Sequence, residues 1–322
     1  GVSAAYFPFD QPSLMEKAVQ IVQPHAMVLL ESEMWPGLMA AQKKYGCKTL
    51  IINGRMRAKS LTRYRWWPSL WRSIRPYKIL AISEDDARRF MALFGNDGVE
   101  VMPNIKFDRF ESHKDKSVEE NPLVKFIPNN TAFVVLGSVR RQEEPRIEKL
   151  IAGVHKKKPD TIIGLFPRHM QRIKYWQDVL SRLGLPWELR SRLKTRVVAG
   201  TVVLWDTFGE LSRAYALADA AFVGGSLAPL GGQNFLEPLS HGVVPVIGPS
   251  WENFAWVGAD IIKEGLLRVA ADWKKAADLL LADLESSSNR ETVRAAADRY
   301  IQSRQGGTAR AARLIEKTLS GA

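Results

Sequence analysis

The chain has 322 residues, of which 46% are apolar and 25% charged, a composition typical of a soluble protein with room for two domains. Its single cysteine, Cys47, excludes an internal disulfide, and the lack of any apolar run of about 18 residues excludes a membrane-spanning helix in this sequence. The formal net charge of +12 at pH 7 is unusual, and it is unevenly distributed.

The first third of the chain alternates apolar segments with amphipathic ones. Strands are predicted at residues 26–30, 48–53, 78–83 and 99–102, with helices between them. This alternation predicts a parallel sheet covered on both faces. Residues 109–130 are polar and mixed in charge, so we place the domain boundary there, with a first domain at 1–112 and a second at 113–322.

A basic segment lies within the first domain. Between Lys43 and Lys78 there are eleven Lys and Arg and no Asp or Glu, and Trp66, Trp67 and Trp71 are interleaved with them. Trp prefers the membrane interface and basic residues are attracted to anionic lipid, so the segment suits an anionic membrane surface. Nucleic acid would attract the same charges. An amphipathic helix with core tryptophans and solvated arginines is the third interpretation.

The second half repeats the α/β architecture more completely. Closing helices are predicted at 272–284, 288–303 and 308–319. The strands before them are predicted at 131–136, 161–166, 201–204, 219–223 and 242–247. Polar residues follow several of these strands, where α/β folds place their ligands.

The most informative stretch is residues 222–237. A strand ends there at the Gly-Gly pair 224–225, and a second Gly-Gly pair follows at 231–232. Glycines permit positive φ and close approach to a ligand, and free backbone N–H groups at the following helix start would face that ligand. Asn234 opens this helix and Glu237, in its first turn, can accept two neighbouring ribose hydroxyls. A single Gly-Gly pair would indicate only a tight turn. Glu237 can also be interpreted as an ordinary acidic residue in the first turn of a helix. Two pairs beside a carboxylate favour a nucleotide site.

Further candidates follow other strands. Arg168 can clamp a phosphate through two N–H groups, and its position among other polar loops, at 137–138, 208–210 and 234–237, favours an anion contact over a surface role. His169 is equally typical of a helix cap and of a ligand contact.

Three charged residues stand out in the first domain. Glu31 and Glu33 flank Ser32 at a strand end, where two neighbouring carboxylates can raise the pKa of one of them. Lys106 lies near the boundary and can reach a negative charge. Solvent-exposed charged residues in loops would show the same spacing. A functional role and a solvated loop position therefore both stay open for these three residues.

Metal chemistry is not predicted. The five histidines are scattered without the spacing of metal ligands. The sequence also lacks a P-loop, a G-x-G-x-x-G after its first strand and a G-x-S-x-G elbow.

Taken together, these motifs resemble the family of 3-deoxy-D-manno-octulosonic acid (Kdo) transferases, which attach Kdo from CMP-Kdo to the lipid A precursor. The matching stretches run in family order across nearly the whole chain. They are YFPFDQP at 6–12, ESEMWP at 31–36, NGRMRAKS at 53–60, SEDD at 83–86, NIKFD at 104–108, FPRH at 166–169, DTFGEL at 206–211, ADAAFVGGSL at 218–227, GGQNFLE at 231–237, GP at 248–249 and NF at 253–254.

The resemblance implies a GT-B fold, with two Rossmann-like parallel-sheet domains facing a cleft and the first domain incomplete in this chain. It implies catalysis without a metal or other cofactor. Glu31 and Lys106 match family positions that stabilise the transition state. The residues implied to hold CMP are Pro167, Arg168, Phe208, Gly209, Glu210, Asn234, Phe235, Leu236 and Glu237.

The implied partners are CMP-Kdo, a lipid A precursor (lipid IVA) and an anionic membrane surface, with no nucleic acid. The implied location is the cytoplasmic face of the inner membrane, where the basic tryptophan-rich segment would rest. Attachment would be peripheral or through a further N-terminal segment.

Two departures from the family pattern change the expectation. The family's general base, a Glu, and its membrane anchor lie before the equivalent of Tyr6, so we expect this chain to bind CMP but to transfer little or no sugar alone. The loop SVRRQEE at 138–144 departs from the family's usual Ser-Thr-His-x-Gly-Glu-Glu, so the family's nucleotide or Kdo contacts at this loop are not carried over to this chain.

Two alternatives belong to other functional classes. A GT-B enzyme that uses a UDP-sugar would bind UMP in preference to CMP. A non-catalytic basic module would bind polyanions in a salt-sensitive way without nucleotide preference. That second alternative leaves Arg168, Glu210 and Glu237 unexplained.

Overall fold

The apolar runs of the sequence form the strands of two separate parallel sheets. The computed structural model describes residues 3–110, 120–286 and 289–320. The chain divides into one unit made of residues 1–111 and 301–322 and a second made of residues 112–300. The boundary predicted between residues 112 and 113 lies outside the described residues.

The first unit contains a four-stranded sheet in the order β1-β2-β3-β4, and all its neighbouring strands are parallel. The strands are β1 (Ala26–Leu30), β2 (Lys48–Gly54), β3 (Lys78–Ala81) and β4 (Val99–Val101). The predicted alternation of strand and helix is therefore confirmed in this unit.

Local sequence explains where the helices of the first unit begin. Prolines open α1, α2 and α4, where their missing N–H costs no hydrogen bond. Ser83 caps α5, because its hydroxyl accepts the N–H of Asp86 at 3.1 Å. The helices are α1 (Pro12–Val22), α2 (Pro36–Lys44), α3 (Ala58–Tyr64), α4 (Pro68–Ser73) and α5 (Glu84–Phe94).

The last helix, α13 (Gly307–Leu319), belongs to the first unit. Its apolar face packs on Leu50 and Ile52 of β2. At its start, the carboxylate of Asp108 accepts the N–H groups of Gly306 at 2.7 Å and Thr308 at 2.5 Å. The second domain predicted to run from 113 to 322 therefore ends earlier, because these long-range contacts return residues 301–322 to the first unit.

The second unit contains a seven-stranded sheet in the order β11-β10-β9-β5-β6-β8-β7, and its neighbouring strands are all parallel. The strands are β5 (Phe133–Val139), β6 (Ile162–Pro167), β7 (Trp187–Leu189), β8 (Val202–Leu204), β9 (Ala220–Val223), β10 (Pro245–Ile247) and β11 (Arg268–Val269).

Helices cover this sheet and complete its core. Val134 and Leu136 of β5 are fully buried together with Ile147 and Ile151 of α6 and with Leu280 of α11.

No helix in the described part of the chain is long and apolar enough to cross a membrane. The helices are α6 (Glu144–Lys157), α7 (Ile173–Arg182), α8 (Leu211–Leu217), α9 (Leu236–Ser240), α10 (Asp260–Lys263), α11 (Trp273–Glu285) and α12 (Arg290–Gln302).

The order of the strands fixes where a ligand can enter the second unit. From β5 the chain builds β6, β7 and β8 on one side and then returns to add β9, β10 and β11 on the other. The direction of winding thus reverses between the neighbouring strands β5 and β9. In doubly wound sheets, a crevice for ligands opens outside the carboxyl ends of the strands at such a point.

Candidate nucleotide site and a charged pair

The candidate nucleotide-binding residues lie at the carboxyl edge of the second sheet, in loops, in a short helix or, for Pro167, at the end of β6. Pro167 is the buried last residue of β6, and its backbone pairs with Val139 at the end of β5. Arg168 follows with an exposed side chain, while its N–H donates to the carbonyl of Val139 at 2.8 Å. The guanidinium of Arg168 is therefore held at the edge of the sheet by a fixed backbone.

Glu210 orders the loop that follows β8. Its half-buried carboxylate accepts hydrogen bonds from Arg190 Nη2 at 2.8 Å, Trp205 Nε1 at 2.8 Å and Thr207 Oγ1 at 2.9 Å. Burial raises the pKa of Glu210, but these hydrogen bonds together hold it below its ordinary value. With three donors already bound, Glu210 acts mainly as the support of this loop.

The tip of the same loop is open to solvent. The ring of Phe208 is 81% exposed, and Gly209 has a φ of +81°, a conformation that favours glycine. An exposed aromatic ring on a loop anchored by Glu210 offers a flat apolar face to a planar ligand.

The glycine stretch after β9 is held by a residue that the sequence analysis did not select. Glu143 is fully buried, and its carboxylate accepts the N–H groups of Gly225 at 2.5 Å, Ser226 at 3.1 Å and Leu227 at 3.1 Å. It also accepts the N–H of Arg140 at 2.9 Å. Burial raises the pKa of Glu143, although these four hydrogen bonds act in the opposite direction. In the sequence, the signal that could have identified Glu143 is the pair of adjacent acids, Glu143 and Glu144, at the start of α6.

Ser226 joins this loop to the neighbouring strand β10. Its hydroxyl donates to the carbonyl of Val223 at 2.7 Å and accepts the N–H of Gly248 at 2.8 Å. A methyl group on Gly248 would lie 2.3 Å from the carbonyl oxygen of Ser226. Gly248 is therefore required by the close approach of two backbones.

The second Gly-Gly pair is also engaged within the protein. Gly231 and Gly232 have φ of +84° and +80°, and their N–H groups donate to Ser250 Oγ and to the carbonyl of Gly225, each at 2.8 Å. The backbone N–H groups of these residues and of residues 225–227 are therefore engaged within the protein, whereas the N–H groups predicted to face a ligand are those at the start of the following helix, and that role stays a prediction. The glycines at 231 and 232 serve close packing.

The start of α9 divides the predicted residues into buried and accessible ones. Phe235 and Leu236 are fully buried, so they can offer a ligand only their backbone groups. Asn234 is exposed, and its Oδ1 accepts the N–H of Leu236 at 3.2 Å. Asn234 thus lies just before the N-cap residue Phe235 and supports the start of the helix through this hydrogen bond.

Glu237 has a different environment from Glu210. Burial raises the pKa of Glu237 above its ordinary value, and a hydrogen bond from Ser212 opposes this shift. A carboxylate has about four acceptor sites, so Glu237 retains the capacity to accept further donors. Beneath it lies the buried ring of Tyr215, whose hydroxyl would be 1.8 Å from a methyl group on Gly137. Gly137 therefore makes room for this ring.

In the first unit, the two candidate catalytic residues form an ion pair. Lys106 Nζ lies 2.5 Å from Glu31 Oε1, and more than a third of each side chain is exposed. Glu31 has a φ of +57°, uncommon for a residue other than glycine. Asn104 Oδ1 accepts the N–H of Lys106 at 2.9 Å, which fixes the loop that carries this lysine. The neighbouring Glu33 is instead bonded to the indole N–H of Trp35, at 3.1 Å.

Across residues 3–110, 120–286 and 289–320, no group of three or more His, Cys, Asp and Glu side chains is arranged to hold a metal ion.

The family model described as 3-deoxy-D-manno-octulosonic-acid transferase (kdotransferase) matches residues 1–109. A 3-deoxy-D-manno-octulosonic acid transferase of Bordetella pertussis is 29% identical over an alignment that covers 98% of this chain and 74% of that protein.

Two solved structures are also similar. The C-terminal CMP-Kdo binding domain of WaaA from Acinetobacter baumannii is 32% identical over 54% of this chain and 90% of that one, with a TM-score of 0.49. A glycosyltransferase from Rickettsia africae is 12% identical over 99% of this chain and 84% of that one, with a TM-score of 0.60. The latter likeness is one of fold, and the fold class is GT-B, as predicted.

The first prediction concerns the support of the glycine loop. Glu143→Ala should lower the free energy of unfolding by more than about 3 kcal/mol, because it leaves several buried N–H groups without an acceptor. Urea denaturation followed by circular dichroism measures this change. Glu188→Ala, at an exposed position of β7, should stay within about 0.5 kcal/mol of the parent chain. Equal stability of the two variants would contradict the supporting role of Glu143.

The second prediction concerns Glu237. A carboxyl whose pKa is raised by folding stabilises the protein at low pH, and this contribution is lost as the pH rises through the raised pKa. Glu237→Gln should therefore raise the free energy of unfolding at pH 7.5, and the gain should shrink at pH 5. Urea denaturation at both pH values, with Glu188→Gln as control, tests this. A variant less stable than the parent at pH 7.5 would contradict it.

Proposed function

The chain belongs to the 3-deoxy-D-manno-octulosonic acid transferase family, and from that premise we propose that it transfers Kdo from CMP-Kdo to a lipid A precursor, lipid IVA. The reaction is a glycosyl transfer of lipopolysaccharide biosynthesis. The B. pertussis relative supports this proposal because its similarity extends over both units of the chain.

The donor site in this proposal is the carboxyl edge of the second sheet. The observation that carries it is the half-buried Glu237, whose carboxylate retains hydrogen-bonding capacity where an α/β sheet binds its ligands. A carboxylate in this position can accept both ribose hydroxyls of a nucleotide. Arg168 supplies two parallel N–H donors for the phosphate. The exposed ring of Phe208 offers its face to the base.

Glu31 and Lys106 are proposed to stabilise the charges of the transition state. The ammonium group of Lys106 is the positive partner for developing negative charge, and Glu31 fixes its position through the 2.5 Å ion pair. We propose that no metal takes part, since arginine and lysine side chains can offset the charge of the departing phosphate.

The acceptor is a lipid, and the basic segment is proposed to bring the protein to it. Trp66 is 72% exposed and Trp67 64%, whereas Trp71 is buried against Tyr64, with ring centroids 4.7 Å apart. The core interpretation thus holds for Trp71 alone. Two exposed tryptophans beside the exposed Arg65 support binding to an anionic membrane, which we propose is the cytoplasmic face of the inner membrane.

The third prediction tests the donor site by calorimetric titration with CMP, UMP and AMP. The chain should bind CMP selectively. Glu237→Ala and Arg168→Ala should each weaken CMP binding by about 10- to 100-fold, the cost of losing a charged hydrogen bond. Arg146→Ala, an exposed arginine of α6, controls for net charge and should bind as the parent chain does.

Two other results of this titration would change the proposal. Tighter binding of UMP than of CMP would assign a UDP-sugar donor. A folded chain that binds none of the three nucleotides would contradict the proposed donor site.

A further inference from the structure

Arg140 occupies the point where the winding of the second sheet reverses. It follows β5 directly, and its backbone is fixed at both ends by Glu143. Its N–H donates to Glu143 Oε1 at 2.9 Å, and its carbonyl accepts the N–H of Glu143 at 3.0 Å. The side chain of Arg140 therefore leaves the chain at a defined position between the ends of β5 and β9.

The arm of this side chain lies against the glycine loop. A methyl group on Gly225 would lie 3.5 Å from Arg140 Cδ and 3.1 Å from Gln233 Nε2, so Arg140 and Gln233 flank Gly225. Gly225 has no side chain, which leaves room for this approach, and its φ of +68° also favours glycine. The close fit places the guanidinium of Arg140 beside the loop that ends β9.

The guanidinium of Arg140 lacks the partner that comparable arginines have. Its Nε is buried without a hydrogen-bond partner, and no ion pair joins it to a carboxylate of the described residues. By contrast, Arg172 pairs with Glu144 at 2.6 Å, and Arg190, whose Nε is also buried without a hydrogen-bond partner, pairs through Nη2 with Glu210 at 2.8 Å. The guanidinium of Arg140 has no such carboxylate, so its charge is suited to an anion supplied from outside the protein.

Two neighbours support this interpretation. Ser138, two residues earlier, has a φ of +57°, and such strain in a residue other than glycine is concentrated at ligand sites. Arg168 lies on the adjacent strand end and is bonded through its N–H to the carbonyl of Val139. Two arginines therefore border the same edge, one from β5 and one from β6.

We propose that Arg140 binds an anionic oxygen group of the sugar nucleotide. This inference rests on the proposed donor site. The group is either the phosphate of the nucleotide or the carboxylate of the sugar acid, since both present two oxygens to the fork of a guanidinium.

The experiment compares Arg140→Gln, Arg140→Lys and the parent chain by calorimetric titration with cytidine, CMP and CMP-Kdo. Arg141→Gln is the matched control, because Arg141 is the next residue and is exposed. Arg140→Gln should weaken binding of the anionic ligand by about 10- to 100-fold, and Arg140→Lys should recover part of the loss. Cytidine binding and the control variant should not change.

The ligands distinguish the two sources of the anion. Loss of affinity for both CMP and CMP-Kdo assigns the phosphate, and loss for CMP-Kdo alone assigns the carboxylate. Parental affinity of Arg140→Gln for both ligands overturns the inference while leaving the donor site intact. A parent chain that binds neither ligand overturns the donor site and this inference with it. If Arg140→Gln does not fold, Arg140→Lys decides, because a single ammonium cannot reproduce the bidentate contact and should still bind more weakly than the parent.

Discussion

The carboxylate of Glu143 is the interaction on which the second unit depends. It is fully buried at the reversal of the sheet and accepts three successive N–H groups of the glycine loop, from Gly225 to Leu227. Burying a carboxylate is costly unless its acceptor sites are filled, and here backbone groups fill them. One side chain at the start of α6 thereby fixes the end of β9 beside the end of β5. The positions of Arg140 and Arg168 depend on this arrangement, because Arg140 is bonded to Glu143 and Arg168 is bonded to Val139 at the end of β5.

Two glutamates at this edge have different roles because their surroundings differ. Glu210 receives hydrogen bonds from Arg190, Trp205 and Thr207, which hold its pKa below the ordinary value despite burial and largely occupy its acceptor sites. Glu237 has Ser212 as a hydrogen-bond donor, and burial raises its pKa. A satisfied carboxylate supports a loop, whereas a half-buried one with free acceptor sites costs stability and is available to a ligand. The structure thus distinguishes a carboxylate that supports a loop from one that keeps acceptor sites free, although the sequence placed both in one group.

Much of the fold could be predicted because apolar runs of four or more residues alternate with amphipathic helices. Strand β7 reads Trp-Glu-Leu and strand β11 reads Arg-Val, so neither lies in an apolar run that would predict it. The position of α13 was missed because it depends on Leu50, Ile52 and Asp108, which are distant in sequence. The glycine loop was identified from its sequence, but the acceptor of its N–H groups was not. Glu143 lies about eighty residues away, and no local pattern reveals that it takes them.

We propose above all that the carboxyl edge of the second sheet, built around Glu143, is the nucleotide site. The most direct test is a crystal structure of the chain grown with CMP. We expect CMP outside the carboxyl ends of β5, β6 and β9, with its ribose hydroxyls within hydrogen-bonding distance of Glu237 and its phosphate beside Arg168. CMP bound at the opposite edge of the sheet, in the cavity lined by Asp219, Arg268 and Arg290, would contradict the account.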